Sequence, residues 1–266
     1  MKKGISNLVL ILIFVLGLSF LLYPTVSDYW NSFHQTVAIK DYTQSISDIG
    51  EDAYQKMFEE AKAYNENLKK DYDRWHLSKE EEKVYNKTLN VSGTGVMGYI
   101  EIPVIDCELP IYHGSDSQIL QTSIGHIEGS SLPVGGKGNH AVLSGHRGLP
   151  SAKLFTDLDK MVEGDVFFLQ ILDETLTYQV DQISIVLPND LEDLELEEDK
   201  DYCTLVTCTP YGVNTHRLLV RGERVEEEQE EELLRVASDA TMIDPMIIAP
   251  IVAIPLLILL LIILLI

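Results

Sequence analysis

Two long uncharged stretches, one near each end, set most of what this chain can fold into. Residues 5–23 carry no charged side chain, and that length approaches the roughly 20 residues a membrane-spanning helix needs. Residues 246–266 form a second stretch, broken only by Pro250 and Pro255. No small-x-small cleavage site follows "LSFLLYPTVSDYW", so the first stretch reads as a retained anchor and not as a removed signal peptide. Lys2 and Lys3 precede it and place the N-terminus in the cytoplasm. The second stretch then returns the chain to the membrane, and residues 24–245 lie outside it. Such a length gives one domain of ordinary size with an appendage.

Charge narrows the partners. The 42 acidic and 20 basic residues leave a formal net charge of −22. A surface of this kind repels nucleic acid, which is bound through Lys/Arg patches, and weakly attracts cationic groups such as amines. Two acidic runs, residues 190–201 and 223–232, lack the ligand spacing of a calcium loop and read as solvated segments. No zinc spacing, phosphate loop or dinucleotide fingerprint occurs, so no metal or cofactor is expected.

Residues 24–88 have helical texture, with Ala, Glu, Lys and Tyr mixed and no β-branched run. Ser78 and Glu81 have the spacing of a capping box ahead of a further helix. At about Leu89 the texture changes to short β-type runs separated by Gly, Pro and Asn. "GVMGYIEIPVIDCELPIYHG" gives two strands, "NHAVLSGH" a third, and "DVFFLQILDETLTYQVDQISIVL" a hairpin, with "SAKLFTDLDKM" predicted as a short helix. "YCTLVTCTP" and "THRLLVRGERV" form the closing pair. Many short strands at this spacing argue for a mainly β, mostly antiparallel sheet or barrel.

The stretch "TLVTCTPYGVNTHRLLVRGER", residues 204–224, carries chemistry that a packed hairpin does not need. The three cysteines, Cys107, Cys203 and Cys208, make no disulfide framework. Cys203 and Cys208 stand five positions apart on one strand, about 16 Å at 3.3 Å per residue and on opposite faces. Cys208 ends its strand just before Thr209-Pro210, and Arg217 returns on the partner strand near it. A guanidinium beside a sulfur favours thiolate, the nucleophilic form. Of seven histidines, His146 is the favoured base, because it follows an apolar strand and opens a Gly-flanked loop. His216 points away from Arg217, and His126 reads as serving loop structure.

"LVTCTPYGVNTHRLLVRGER", "HAVLSGHRGLPSAKLFTDLD" and "GVMGYIEIPVIDCELPIYHG" closely resemble the sortase family, and within it class C, the pilin polymerases of Gram-positive bacteria. The resemblance implies an eight-stranded sortase-type β-barrel with short helices, a helical N-terminal extension and two terminal transmembrane helices. It implies Cys208 as nucleophile, His146 as general acid/base and Arg217 as the cation that positions substrate and stabilises the oxyanion. The class carries a lid with an Asp-Pro-aromatic motif; the counterpart here is Asp73-Arg74-Trp75, with arginine where the class has proline. As a lid, Asp73 would face Arg217 and Trp75 would cover the cleft between His146 and Cys208.

The division expected is a tail and anchor (1–23), a helical extension with the lid (24–88), the catalytic barrel (89–225), an acidic juxtamembrane segment (226–245) and a transmembrane helix (246–266). The implied partners are pilins with LPxTG-type sorting signals, as acyl donor and lysine acceptor, with the enzyme a membrane-anchored monomer and its catalytic domain extracellular. Two alternatives stand beside this reading: a sortase that anchors surface proteins to peptidoglycan, and a catalytically inactive, membrane-tethered binding module.

Overall fold

The structure is a computed structural model describing residues 2–71 and 73–225. The acidic segment from residue 226 onward and the second apolar stretch lie outside the described residues. Three helices precede the barrel: α1 (Lys2–Asp48), α2 (Glu51–Leu68) and α3 (Lys79–Lys87). Helix α1 contains the one helix among the described residues long and apolar enough to cross a membrane. It continues unbroken through Pro24, so the boundary expected between anchor and extension falls inside a single helix. A proline costs a helix one N–H and crowds the preceding turn, yet here it does not end α1.

Beyond Pro24, α1 docks on the barrel through one face. Ile39 and Tyr42 are buried, and the Tyr42 hydroxyl both donates to Met97 O (2.9 Å) and accepts from Leu172 N (2.7 Å). Helix α2 packs Tyr54, Met57, Phe58, Ala61 and Tyr64 against the same core, a spacing of three and four that puts them on one face. Its Asn65 amide closes two bonds on the Leu132 backbone, at 3.0 and 2.8 Å. The capping box read from the sequence forms: Ser78 accepts from Glu81 N while Glu81 accepts from Ser78 N.

Eight strands follow: β1 (Val96–Ile102), β2 (Cys107–His113), β3 (Ile124–His126), β4 (Asn139–Ser144), β5 (Val166–Ile171), β6 (Glu174–Val186), β7 (Asp201–Thr209) and β8 (His216–Arg224). They close into a barrel in the order β1-β2-β3-β4-β7-β8-β6-β5. The pairs β2–β3 and β4–β7 are parallel and the others antiparallel. Strand β3 is not among the strands expected from the sequence: it is three residues long and flanked by Gly and Ser turns. It also expected a helix in "SAKLFTDLDKM", where the chain makes turns and a short 3-10 helix at Leu158–Lys160. Leu154 there takes a positive φ of 40°, which no helix accommodates.

The interior is filled by one cluster that includes Met97, Ile100, Ile111, Ile124, Leu143, Phe155, Phe167, Tyr178, Cys203, Leu205 and Val220. Gly98 is required for closure, since a Cβ there would stand 2.5 Å from Gln170 O on the neighbouring strand.

Two histidines are built into this frame as neutral groups. His126, in β3 and not in a loop, has Nε2 at 2.8 Å from Ser131 O and Nδ1 at 2.9 Å from the Tyr85 hydroxyl. His140, in β4, donates from Nδ1 to Glu195 O (2.9 Å) and accepts at Nε2 from the Thr204 hydroxyl (2.7 Å). Burial pulls both down to about 4. In the unfolded chain they titrate near 6.5. Between those values the unfolded state binds protons that the native state does not, so stability falls as pH drops through that window. Asp201, raised to about 6 by burial, pulls the other way over the lower part of the window. His140→Gln keeps a donor and an acceptor but does not titrate. Its loss of stability from pH 7 to 5, read as the urea midpoint of the full chain in detergent, should be smaller than the wild type's by roughly 1–2 kcal/mol. Equal losses would mean that His140 contributes nothing to acid sensitivity.

Candidate active site

The site is set by three neighbouring strands. In β7, Cys203 and Leu205 point into the barrel core, so alternation puts Thr204, Val206 and Cys208 on the outer face. Antiparallel pairing with β8 sets Cys208 directly opposite Arg217, and Thr209 opposite His216. On the other side of β7 the parallel register runs from Asn139↔Asp201 to Ser144↔Val206. Two residues further, that register puts His146 level with Cys208. Gly145 N donates to Val206 O (3.0 Å) and the Thr207 hydroxyl donates to Gly145 O (2.8 Å), so pairing persists to the residue before His146. Neighbouring strands lie about 4.8 Å apart. Cys208, His146 and Arg217 therefore share one end of one sheet.

Local sequence explains this convergence. Gly145 cannot carry a side chain, because a Cβ would meet the Phe155 ring at 2.7 Å and Ile124 Cγ2 at 2.9 Å. The loop after it folds back, with Phe155 N donating to His146 O (3.1 Å) and Gly148 N to the Thr156 hydroxyl (3.1 Å). Tyr211, from the turn between β7 and β8, lies against Gly148, and the Arg147 guanidinium stands 5.7 Å from its ring centre. Arg147 also pairs with Asp159. The hairpin bearing Cys208 and Arg217 is thus packed on the loop bearing His146.

All three cysteines are free thiols, but their surroundings differ. Burial pushes Cys203 well above its ordinary range and Cys107 up to about 12. The Cys107 thiol also points to Leu154 O at 3.9 Å. Both are held as thiols; Cys107 and Cys208 are each half-buried, Cys107 at the start of β2 against the core and Cys208 at the end of β7. Arg217 bonds the carbonyls of His216 (3.1 Å) and Asn214 (3.4 Å), and among the described residues no carboxylate pairs with it. A cation that is not neutralised beside Cys208 suits a thiolate, and later an oxyanion.

The other histidines have different work. His126 and His140 are buried in strands, His113 bonds the carbonyls of Gly95 and Thr88, and His34 bonds Trp30 O on α1. Among the described residues, no group of acids, cysteines and histidines could hold a metal ion.

The segment linking α2 to α3 crosses the outer face of these strands. Trp75 packs with Val142, Leu194, Val206 and Leu219, residues of β4, β7, β8 and the loop before β7. Val206 lies two residues before Cys208 on the same face. Asp73 makes no ion pair with Arg217: its carboxylate bonds His76 Nδ1 at 2.7 Å, and its side chain is 79% exposed. The sequence reading gave no work to Arg74, which is buried. Its guanidinium donates to Gly129 O (3.1 Å) and Leu194 O (3.0 Å), meets Glu195 at 3.3 Å and lies 4.3 Å from the Trp75 ring centre. Arginine in the proline's place is an anchor, and no sequence signal separated it from a surface arginine.

A family model for the sortase domain matches residues 100–225. The chain is 56% identical to the solved structure of sortase C1 from Streptococcus agalactiae, with a TM-score of 0.70 over 71% of this chain and 98% of that one. With sortase C from Clostridium perfringens, solved with the C-terminal cell wall sorting motif, it shares 43% identity and a TM-score of 0.62, over 72% of this chain and 99% of that one. Sortase D from Bacillus subtilis is 32% identical over 131 residues, 48% of this chain and 63% of that protein's length. The chain belongs to the sortase family of cysteine transpeptidases, and its structural relatives include class C enzymes.

Proposed function

We propose that this chain polymerises pilins, with Cys208 as nucleophile, His146 as general acid/base and Arg217 as the oxyanion-stabilising and positioning cation. The observation that carries the reading is the pairing of a half-buried Cys208 with Arg217 across β7 and β8, level with His146 at the end of β4. The likeness to sortase C enzymes supports the pilin substrate; the Streptococcus pneumoniae member is described in terms of pilin substrate specificity.

The Cys208 thiolate attacks the Thr carbonyl of an LPxTG-type sorting signal, and the developing oxyanion lies beside Arg217. Protonated His146 donates to the departing Gly amine, the C–N bond breaks, and a thioester to Cys208 remains. A pilin lysine then attacks the thioester. Free lysine has a pKa of about 10.4, so only about 0.04% is neutral at pH 7; the ammonium gives one proton to solvent on entering the site, and neutral His146 takes the second as the C–N bond forms. The thiolate leaves, the isopeptide bond is complete, and the imidazole is again protonated for the next donor. One amide is exchanged for another, so no nucleotide is consumed. Water must be kept from the thioester, which gives a cover over the outer face its purpose. We assign that cover to the segment carrying Asp73, Arg74 and Trp75, latched by Arg74 and filled by Trp75.

Cys208→Ala should abolish both cleavage of an LPxTG-type peptide and ladder formation, while Cys107→Ala and Cys203→Ala retain them. Ladders from Cys208→Ala on an immunoblot reject the nucleophile. His146→Ala and Arg217→Ala should each lose about 10²- to 10³-fold in turnover while remaining folded, and Arg217→Lys should recover only part, because an ammonium lacks the planar fork. Supplying a cell-wall amine in place of pilin lysine separates the anchoring alternative: faster transfer to that amine would favour it.

For the cover, Trp75→Ala should speed alkylation of Cys208 by a small thiol reagent several-fold, with little change in melting temperature. Asp73→Ala alone should stay near wild type, because Asp73 holds His76. Arg74→Ala should raise both alkylation and thermal lability, since it leaves two carbonyls without their donor. Unchanged alkylation in Trp75→Ala would make the segment a structural brace.

A further inference from the structure

Helix α1 does more than anchor the barrel. Asp28 and Asn31, one turn apart on the same face, both reach the loop that follows His146. Asp28 Oδ1 accepts from Lys153 N at 2.6 Å, and Asn31 Nδ2 donates to Ser151 O at 2.7 Å. Two residues beyond Lys153, Phe155 N donates to His146 O. A short run of hydrogen bonds therefore joins the helix leaving the membrane to the backbone of the histidine.

The loop needs such support. It lacks regular pairing apart from one bridge between Leu149 and Ala152, it contains Pro150, and Gly148 and Leu154 take positive φ of 74° and 40°. Backbone groups outside a sheet or helix must find partners elsewhere, and α1 supplies one donor and one acceptor at its apex. Tyr211 holds the loop's other side, from the catalytic hairpin.

We propose that Asp28 and Asn31 are positioning residues for His146, making the juxtamembrane turn of α1 part of the active-site scaffold. The proposal rests on the reading of His146 as acid/base. Its physical basis is the steep dependence of proton transfer on geometry, where a misplacement of about 1 Å can cost on the order of 10²-fold in rate. It also fixes where catalysis happens. At about 1.5 Å rise per residue, Asp28 and Asn31 lie about 8 and 12 Å along the helix from Tyr23, the end of the apolar stretch. The loop is thereby held at the bilayer surface.

The test uses the full chain in lipid vesicles for kinetics and in micelles for NMR. The variants are Asp28→Ala/Asn31→Ala together, Asp28→Asn, which keeps an acceptor oxygen, and Gln35→Ala, which removes a comparable α1 bond to Thr122 O (2.6 Å) outside the loop. The expected result for the double variant is a kcat for an LPxTG-type peptide lowered about 10-fold or more, with KM within twofold. The Phe155 amide should exchange faster with solvent, while Asp28→Asn and Gln35→Ala stay near wild type. Unchanged kcat, an equal loss in Gln35→Ala, failure of Asp28→Asn to recover activity, or a loss that follows the melting temperature would each overturn the proposal. If the wild type cleaves no such peptide, the substrate reading fails instead, and Phe155 exchange then judges the clamp alone: an unchanged rate in the double variant overturns it.

Discussion

The parallel register between β4 and β7 is the constraint on which the rest of the site depends. A parallel pair cannot be closed by a tight turn, so strands distant in sequence must be brought side by side by the closed barrel. Ser144 opposite Val206 and Cys208 opposite Arg217 then follow from backbone hydrogen bonds alone. Because strand side chains alternate with a period of two, a slip of one residue would turn Cys208 into the core and Cys203 outward. The packed interior prevents that slip: Cys203, Leu205 and Val220 belong to one cluster with Phe167 and Tyr178. Burial therefore fixes the register, and the register fixes the chemistry.

The same logic separates the three thiols. A cysteine in the core loses the solvation its thiolate needs and remains a thiol, which is the state of Cys203; Cys107, half-buried against the same core, is pushed the same way. Cys208 lies at the strand end, half-buried, beside a guanidinium whose hydrogen bonds go to carbonyls and not to a carboxylate.

Around this frame two segments outside the barrel are held by polar atoms as well as apolar surface. Between α2 and α3, Arg74 carries a buried charge bonded to two backbone carbonyls and Glu195. Such a group is costly to strip of its partners, so the segment has one defined resting place over Val206 and Trp75 fills it. Along its length beyond Pro24, α1 bonds the barrel at Thr122, Ser151, Lys153, Met97 and Leu172. Helix α1, the segment between α2 and α3 and the strands of the barrel are thus bonded to one another.

The sequence by itself determined the long apolar N-terminal helix, the β texture after Leu89, the capping box at Ser78 and the nearness of Arg217 to Cys208. Each is a local property: uncharged length, period-two alternation, a three-residue spacing, a hairpin. The motifs around His146, Cys208 and Arg217 also carried the family resemblance. Tertiary structure decided what depends on distant partners. It made the three-residue β3 a strand because β2 and β4 flank it, and refused a helix to residues 151–161 because the loop there is bonded to α1 and turns at Leu154. Asp73 meets only His76, three residues on, but Arg74 is buried, although nothing in "DYDRWH" marks it as a charge for the interior. A charge's role follows from the atoms it meets in space, and those come from positions 55 and 120 residues away along the chain.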